Sequence, residues 1–271
     1  MIKNLLTRFV GFLPESARFQ IREQYWRVKS RLLYQSLYNW LNLEHTLDSG
    51  LRLRVASKGE WWIYNDIFVN GEYDFPIHAA LEACSGQPLV VLDLGANVGY
   101  FALRVLDLIR RQHLDHVLPD ITMVEGSPET FGELESRIRP QPLAPANVRM
   151  VHGLVGRRTG SAFIRESALH VKSSIIDVPA REGVNVEFVD VNTLMKDKVE
   201  IDLLKCDIEG AELIFIENYG DLLRKVRYAV FELHHDQCDT QKCVSMLENL
   251  GFRQTILRAN DSVSVSFHCR L

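Results

Sequence analysis

The chain has 271 residues, 46% of them apolar and 24% charged, a balance ordinary for a folded globular protein and enough length to bury a full core. A net charge of −4 argues against a general nucleic-acid binder, which carries a broad basic footprint. Five scattered cysteines are an odd set that suits reduced thiols in the cytoplasm better than a disulfide framework, and no apolar run is long enough to span a bilayer.

Residues 1–50 read as an N-terminal helical extension, and residues 51–271 as the main domain. Ile2, Leu5, Leu6, Phe9 and Leu13 share one helical face. Thr7 and Arg8 interrupt the stretch and no small-residue cleavage site follows, so it is not read as an export signal. Two roles stay open for it: peripheral contact with the inner, anionic face of a membrane, or packing on its own domain or on a second copy in a homo-oligomer. Pro14 restarts the chain, and a second helix is expected from Glu15 to Leu41, basic through Arg18, Arg22, Arg27, Lys29 and Arg31.

From Leu51 the pattern alternates. Leu51 to Val55 and then Trp61-Trp62-Ile63-Tyr64 carry β-formers. The polar-aromatic segment Asp66 to Asp74 follows, with Glu72 and Tyr73 either at the rim of a cleft or in an aromatic cap on a sheet edge.

The first strong signal is Val90-Val-Leu-Asp93-Leu-Gly95-Ala96-Asn97-Val-Gly99-Tyr100. An apolar strand of the doubly buried, parallel type ends in an acid, turns on glycine and opens a helix at Val98 to Arg111. That is the opening unit of a nucleotide-type site, where glycine admits a ligand close to the backbone and the helix start offers free N–H groups. A dinucleotide fingerprint needs glycine at the positions held by Asn97 and Tyr100, so a nicotinamide cofactor is disfavoured. Asp-x-Gly-Ala-Asn-x-Gly instead resembles the first motif of class I S-adenosylmethionine methyltransferases, whose loop holds the amino-acid end of that cofactor.

A second strand, Ile121 to Glu125, ends in an acid about thirty residues later, where a carboxylate can accept both ribose hydroxyls. Gly126 and Ser127 lead into a helix from Pro128 to Ile138. A third strand runs from Val148 to Val155, with Gly153 and Leu154 suited to flank an adenine. Ser161 to Ile164 reads as a hairpin return strand, and Arg165 to Glu182 as a long loop carrying Lys172, Ser173 and Ser174 toward substrate.

The other strong signal is Asp202-Leu-Leu-Lys-Cys-Asp207-Ile-Glu209-Gly-Ala-Glu212: a strand from Ile201 to Cys206, two acids and a glycine, then a helix. A further strand, Tyr228 to His235, brings Glu232 and His234 to the next edge. Ligands of open α/β sheets sit beyond the carboxyl ends of strands, so Asp93, Glu125, Asp207 and Glu232 are expected around one cleft. A zinc reading of His234, His235, Cys238 and Cys243 is disfavoured by loose spacing. A helix from Thr240 to Leu250 and strands at Gly251 to Leu257 and Ser262 to His268 complete the chain.

Together these motifs, with Glu125-Gly-Ser-Pro and Phe231-Glu-Leu-His, resemble the FkbM family of methyltransferases over about residues 60–235. The resemblance implies a Rossmann-like α/β class I methyltransferase fold with a seven-stranded, mostly parallel sheet, helices on both faces and one antiparallel strand. It implies S-adenosylmethionine held by Asp93, Gly95, Ala96, Asn97, Gly99, Glu125, Gly126, Ser127, Gly153 and Asp207. The implied reaction is O-methylation of a sugar, glycan or other natural product, the alternative being a catalytically silent binding protein of the same fold. An alcohol acceptor needs a general base, for which His234, Glu232, Asp207 and Glu209 qualify, with His234 or Glu232 preferred. The same acids suit Mg²⁺, which is not favoured, and no metal ligand is assigned.

Overall fold

A computed structural model describes residues 36–41, 43–84, 88–165, 174–176 and 183–270. The expected helix at residues 2–13, most of the second helix, and Lys172 and Ser173 lie outside them. The elements are α1 (Ser36–Leu41), β1 (Leu43–Thr46), β2 (Arg52–Val55), α2 (Lys58–Tyr64), a π-helical turn (Asn65–Val69), α3 (Asp74–Ala83), β3 (Leu89–Leu94) and α4 (Tyr100–Arg111). There follow β4 (Pro119–Glu125), α5 (Pro128–Ile138), β5 (Asn147–His152), β6 (Ser161–Arg165), β7 (Ser174–Ile176), β8 (Val184–Glu187) and α6 (Val191–Leu194). The chain ends with β9 (Ile201–Cys206), α7 (Glu212–Asn218), α8 (Gly220–Leu223), β10 (Val226–His234), α9 (Thr240–Asn249), β11 (Phe252–Ala259) and β12 (Val263–Arg270).

Seven strands form the central sheet in the order β11-β12-β10-β9-β3-β4-β5. β12 runs antiparallel to both of its neighbours, and the other pairings are parallel. This is the Rossmann-like methyltransferase arrangement that the motifs imply. The order reverses at β3, so the switch point falls between β3 and β9, where the ends of two crossovers diverge and leave a crevice.

Alternate residues of β3 point to opposite faces. Leu89 and Val91 join one apolar core with α3 and α4, while Leu92 and Leu94 join another with α7, α8 and α9. Asp93 lies on the first face and pairs in register with Lys205 of β9. Lys205 in turn pairs with Val230 of β10, two residues before Glu232. A period of two therefore puts Asp93, Lys205 and Glu232 on one face, near the carboxyl ends of three adjacent strands.

The segment Trp61 to Tyr64 is helical, not extended. Ser57 caps α2, its Oγ accepting the Glu60 N–H at 3.1 Å, while Glu60 Oε2 accepts the Ala56 N–H at 2.8 Å. This reciprocal pair satisfies helix-start donors and overrides the β preference of the aromatic run. Ser161 to Arg165 also differs from expectation. It pairs with β7 and β8 in a separate three-stranded sheet rather than returning along β5. The part of the expected long loop that is described includes β7, and two elements not anticipated, β8 and α6, precede β9. The hairpin β1–β2 straddles residue 50, joining the end of the expected extension to the start of the main domain.

Candidate active site

The loop after β3 is built by close approach. Gly95 has φ +74°, and a Cβ there would stand 1.7 Å from the Asp207 carbonyl oxygen, so no side chain fits. Asn97 also takes a positive φ, 50°. Glu125, at the end of β4, organises this loop: its Oε2 accepts the Asn97 N–H at 2.9 Å and its Oε1 accepts the Ser127 N–H at 2.8 Å. Burial pushes the Glu125 carboxyl upward, and those two backbone donors oppose the shift.

A cleft opens above these groups. Gly95, Asn97, Glu125, Gly126, Ser127, Gly153 and Asp207 all line it, as does Glu209. Leu154, Val155 and Ile164 form an apolar wall. Ile164 comes from β6, so the small sheet closes one side of the cleft, joined to the end of β5 by the Leu154 N–H, which donates to the Glu187 carbonyl at 2.9 Å. Three of the anticipated cofactor residues sit elsewhere. Ala96 lines a neighbouring cavity, Asp93 is fully buried below both openings, and Gly99 serves packing. A Cβ on Gly99 would lie 2.8 Å from Leu134 and 2.9 Å from Ile138, so glycine lets α4 start against α5.

The neighbouring cavity is lined by Trp62, Asp66, Glu72, Tyr73, Lys205, Glu232 and Arg258. Asn97, Asp207 and Glu209 belong to its wall and to that of the first cleft. Glu72 is held by Arg258, whose Nε donates to its carboxylate at 2.8 Å. Sequence reasoning did not single out Lys205, Trp62 or Arg258. The strand register marks Lys205, whereas Trp62 was hidden by the β reading of its segment.

Oxygens of Asp207 and Glu232 and a ring nitrogen of His234 all lie within 4.8 Å of one another. His234 lines neither opening. Its Nδ1 stands 3.2 Å from Glu212 Oε1 and its Nε2 3.2 Å from Glu209 Oε2. Hydrogen bonding to Glu212 and the nearby Glu209 and Asp207 charges overcome burial and push the imidazole up to about 9. Nδ1 hydrogen-bonds Glu212, and Nε2 faces Glu209 at ion-pair distance, so a carboxylate stands at each nitrogen. Burial and the Asp207 charge push the Glu232 carboxyl up to about 8, with Lys205 and His234 opposing.

The raised His234 value has a stability consequence. Its free value is near 6.5, so the contribution of its two ion pairs is complete below that pH and disappears as pH rises through about 9. The gap in denaturant midpoint between wild type and His234→Gln is expected to be widest at acidic pH and to close above that range. A gap that widened with pH would contradict the assignment of a charged ring.

Residues 93–254 match the family described as the Methyltransferase FkbM domain. The chain belongs to the FkbM methyltransferase family. Its FkbM region runs from the acid of β3 to the start of β11 and contains every residue of the first cleft, whereas Trp62, Asp66, Glu72, Tyr73 and Arg258 of the second cavity lie outside it. The cradle around Gly95 and Glu125 fits the S-adenosylmethionine that the family resemblance implies: glycine at the closest approach, a carboxylate beside a helix start and an apolar wall opposite. No curated protein matches the sequence. Among solved structures, the human methyltransferase 10 domain containing protein is similar at 13% identity and a TM-score of 0.45, covering 90% of this chain and 96% of that one. Magnesium protoporphyrin IX methyltransferase from Synechocystis with bound SAM is similar at 14% identity and a TM-score of 0.41, covering 78% and 84%. Aeropyrum pernix fibrillarin with natively bound S-adenosyl-L-methionine is similar at 15% and 0.38, covering 70% and 72%.

Proposed function

We propose that this FkbM protein is an O-methyltransferase that moves the methyl group of S-adenosylmethionine to a hydroxyl of a sugar, glycan or other natural product. One observation carries the reading: the two openings share Asn97, Asp207 and Glu209, so a donor in the first cleft faces an acceptor in the second. Such a shared wall favours turnover over a silent binding role, because alignment is most of what methyl transfer asks of a protein.

When bound, S-adenosylmethionine supplies a sulfonium-activated methyl carbon. The Gly95 to Asn97 loop, Gly126, Ser127, Gly153 and Asp207 hold the donor, and Glu125 presents its carboxylate to the ribose hydroxyls while ordering the loop. Glu232 is the general base. It lines the acceptor cavity, and its raised carboxyl matches a proton acceptor working near neutral to mildly alkaline pH. The proton of the acceptor hydroxyl passes to Glu232 as the oxygen–carbon bond forms and the carbon–sulfur bond breaks. His234, charged and held at both nitrogens, positions Glu209 and Glu212 instead of acting as the base. Trp62, 54% exposed at the cavity wall, offers the flat apolar face that a sugar ring stacks on, and Asp66, Glu72 and Arg258 offer hydrogen bonds to its hydroxyls.

No helix among the described residues is long and apolar enough to cross a membrane. A cytoplasmic setting is part of the same proposal, and five free cysteines suit it. Membrane or dimer contact stays assigned to residues 1–50 as an expectation, tested by vesicle flotation and sizing of the full chain against a chain starting at residue 51.

The first test is calorimetric titration with S-adenosylhomocysteine. Wild type is expected to bind it saturably and to ignore NAD⁺. Glu125→Ala is expected to weaken binding by about 2 kcal/mol, roughly thirty-fold, as charge-assisted bonds to loop and ligand are lost together. Labelled methyl from S-adenosylmethionine is then followed into candidate acceptors. An alkali-stable ether product supports the O-methyl reading, and a labile ester or a methylated amine refutes it.

A further inference from the structure

We propose that Lys205 is the resident cation of the acceptor site, standing where a divalent ion would otherwise sit and meeting the acceptor oxygen as it loses its proton. The inference rests on the methyltransferase reading above.

Asp207, Glu232 and His234 cluster as a small cation site does, with ligand atoms within 4.8 Å of one another. Hard divalent ions favour such carboxylates. Two features make it a lysine site instead. First, the imidazole is engaged by Glu212 and Glu209, each 3.2 Å from one of its nitrogens, which leaves carboxylates as the ligands a cation would find. Second, a positive charge is already in place. Lys205 is 5% exposed, and its Nζ donates to the Gly95 carbonyl at 2.9 Å. The same Nζ lies 3.5 Å from Asp93 Oδ1 and 3.5 Å from Asp207 Oδ2.

Those distances suit the role. The Gly95 carbonyl fixes the ammonium against the donor loop. The two carboxylates balance its charge from longer range, 3.5 Å against 2.9 Å for the carbonyl, so an oxygen arriving at closer range competes with them for one of its three protons. Lys205 and Glu232 line the same cavity, one cationic and one a proton acceptor. An oxygen between them gives its proton to Glu232 and develops negative charge beside a fixed ammonium, in a site too buried for water to dampen the attraction. A lysine that merely neutralised Asp93 would not need to face that cavity.

The experiment uses the full chain and Mn²⁺, whose free electron-paramagnetic signal disappears on binding. Wild type is expected to leave the signal unchanged at millimolar metal. Lys205→Met, which keeps the side-chain length and removes the charge, is expected to take up Mn²⁺ on the Gly95, Asp93 and Asp207 oxygens that held the ammonium, and adding Asp207→Asn is expected to abolish that uptake. Once an acceptor is in hand, Lys205→Met is expected to lower kcat about a hundred-fold with little change in KM for S-adenosylmethionine, and added methylammonium to restore part of it. Uptake of Mn²⁺ by wild type that Asp207→Asn removes would overturn the proposal, as would a folded Lys205→Met protein that takes up none or keeps its kcat. If Lys205→Met does not fold, Lys205→Gln carries the same readouts, and the wild-type arm stands alone. S-adenosylhomocysteine binding, measured on every variant, reports the methyltransferase reading separately: its loss in wild type refutes that reading whatever Mn²⁺ does.

Discussion

Glu232→Gln is expected to slow methyl transfer by about 10²–10⁴-fold while S-adenosylhomocysteine affinity stays near wild type. The split follows from position. Glu232 lines the acceptor cavity and does not line the donor cleft. Glutamine keeps the size and loses the proton acceptor. The wild-type pH dependence carries the same information. Burial and Asp207 raise the carboxyl to about 8, against the opposing charges of Lys205 and His234, and Glu72 adds to the rise. Because the base works only when deprotonated, kcat is expected to climb with pH through that value and then level off. In the glutamine variant the residual rate should lose this limb. A variant that turned over at the wild-type rate, or a limb that survived the substitution, would remove Glu232 from the role.

Glu60→Ala is expected to destabilise the fold by about 3–5 kcal/mol, read as a drop in the denaturant midpoint at constant slope. Glu60 and Arg137 form a two-pronged pair, Nη1 to Oε2 at 2.7 Å and Nη2 to Oε1 at 3.1 Å, with side chains only 9% and 6% exposed. The Tyr100 hydroxyl and Arg137 both donate to the Arg54 carbonyl beside it. Removing Glu60 leaves a guanidinium buried without its main partner, with the half-exposed Glu133 as its remaining carboxylate beside the Arg54 carbonyl. A double replacement, Glu60→Leu with Arg137→Met, should cost much less than the single one, because no charge is stranded. Equal costs would show that packing, not charge, ties α2 to α5. The pair also bears on specificity. α2 brings Gly59 and Trp62 to the acceptor cavity, so its anchor fixes that wall.

How much of this was legible in the sequence depended on the kind of force involved. The buried parallel strands announce themselves, since β3, β9 and β10 are covered on both faces and read as apolar runs. Glycines and strand-end acids marked the donor cleft for a related reason. Close backbone approach at Gly95 and paired N–H groups at Glu125 admit few other residues. What was not legible depended on partners far along the chain. The helix at Trp61–Tyr64 turns on a local cap that was outweighed by the β preference of tryptophan and tyrosine. The pairing of β6 with β8 joins residues across an intervening segment and leaves no local trace. His234 looked like a base because free imidazole titrates near neutrality. Glu209 and Glu212, brought to its two nitrogens by the fold, are what move the proposed base to Glu232.

The contact of Gly95 with Asp207 makes the donor loop and the β9 loop mechanically one body. The Asp207 N–H donates to the Leu94 carbonyl at 3.1 Å, and Lys205 grips the Gly95 carbonyl from below. Neither loop has room to shift without carrying the other. A ligand that spreads the first loop therefore reshapes the wall that greets the second ligand, and the coupling runs equally in both directions. Two substrates meeting at such a seam would exchange binding energy through the backbone itself, before any side chain of the second cavity has touched the incoming acceptor.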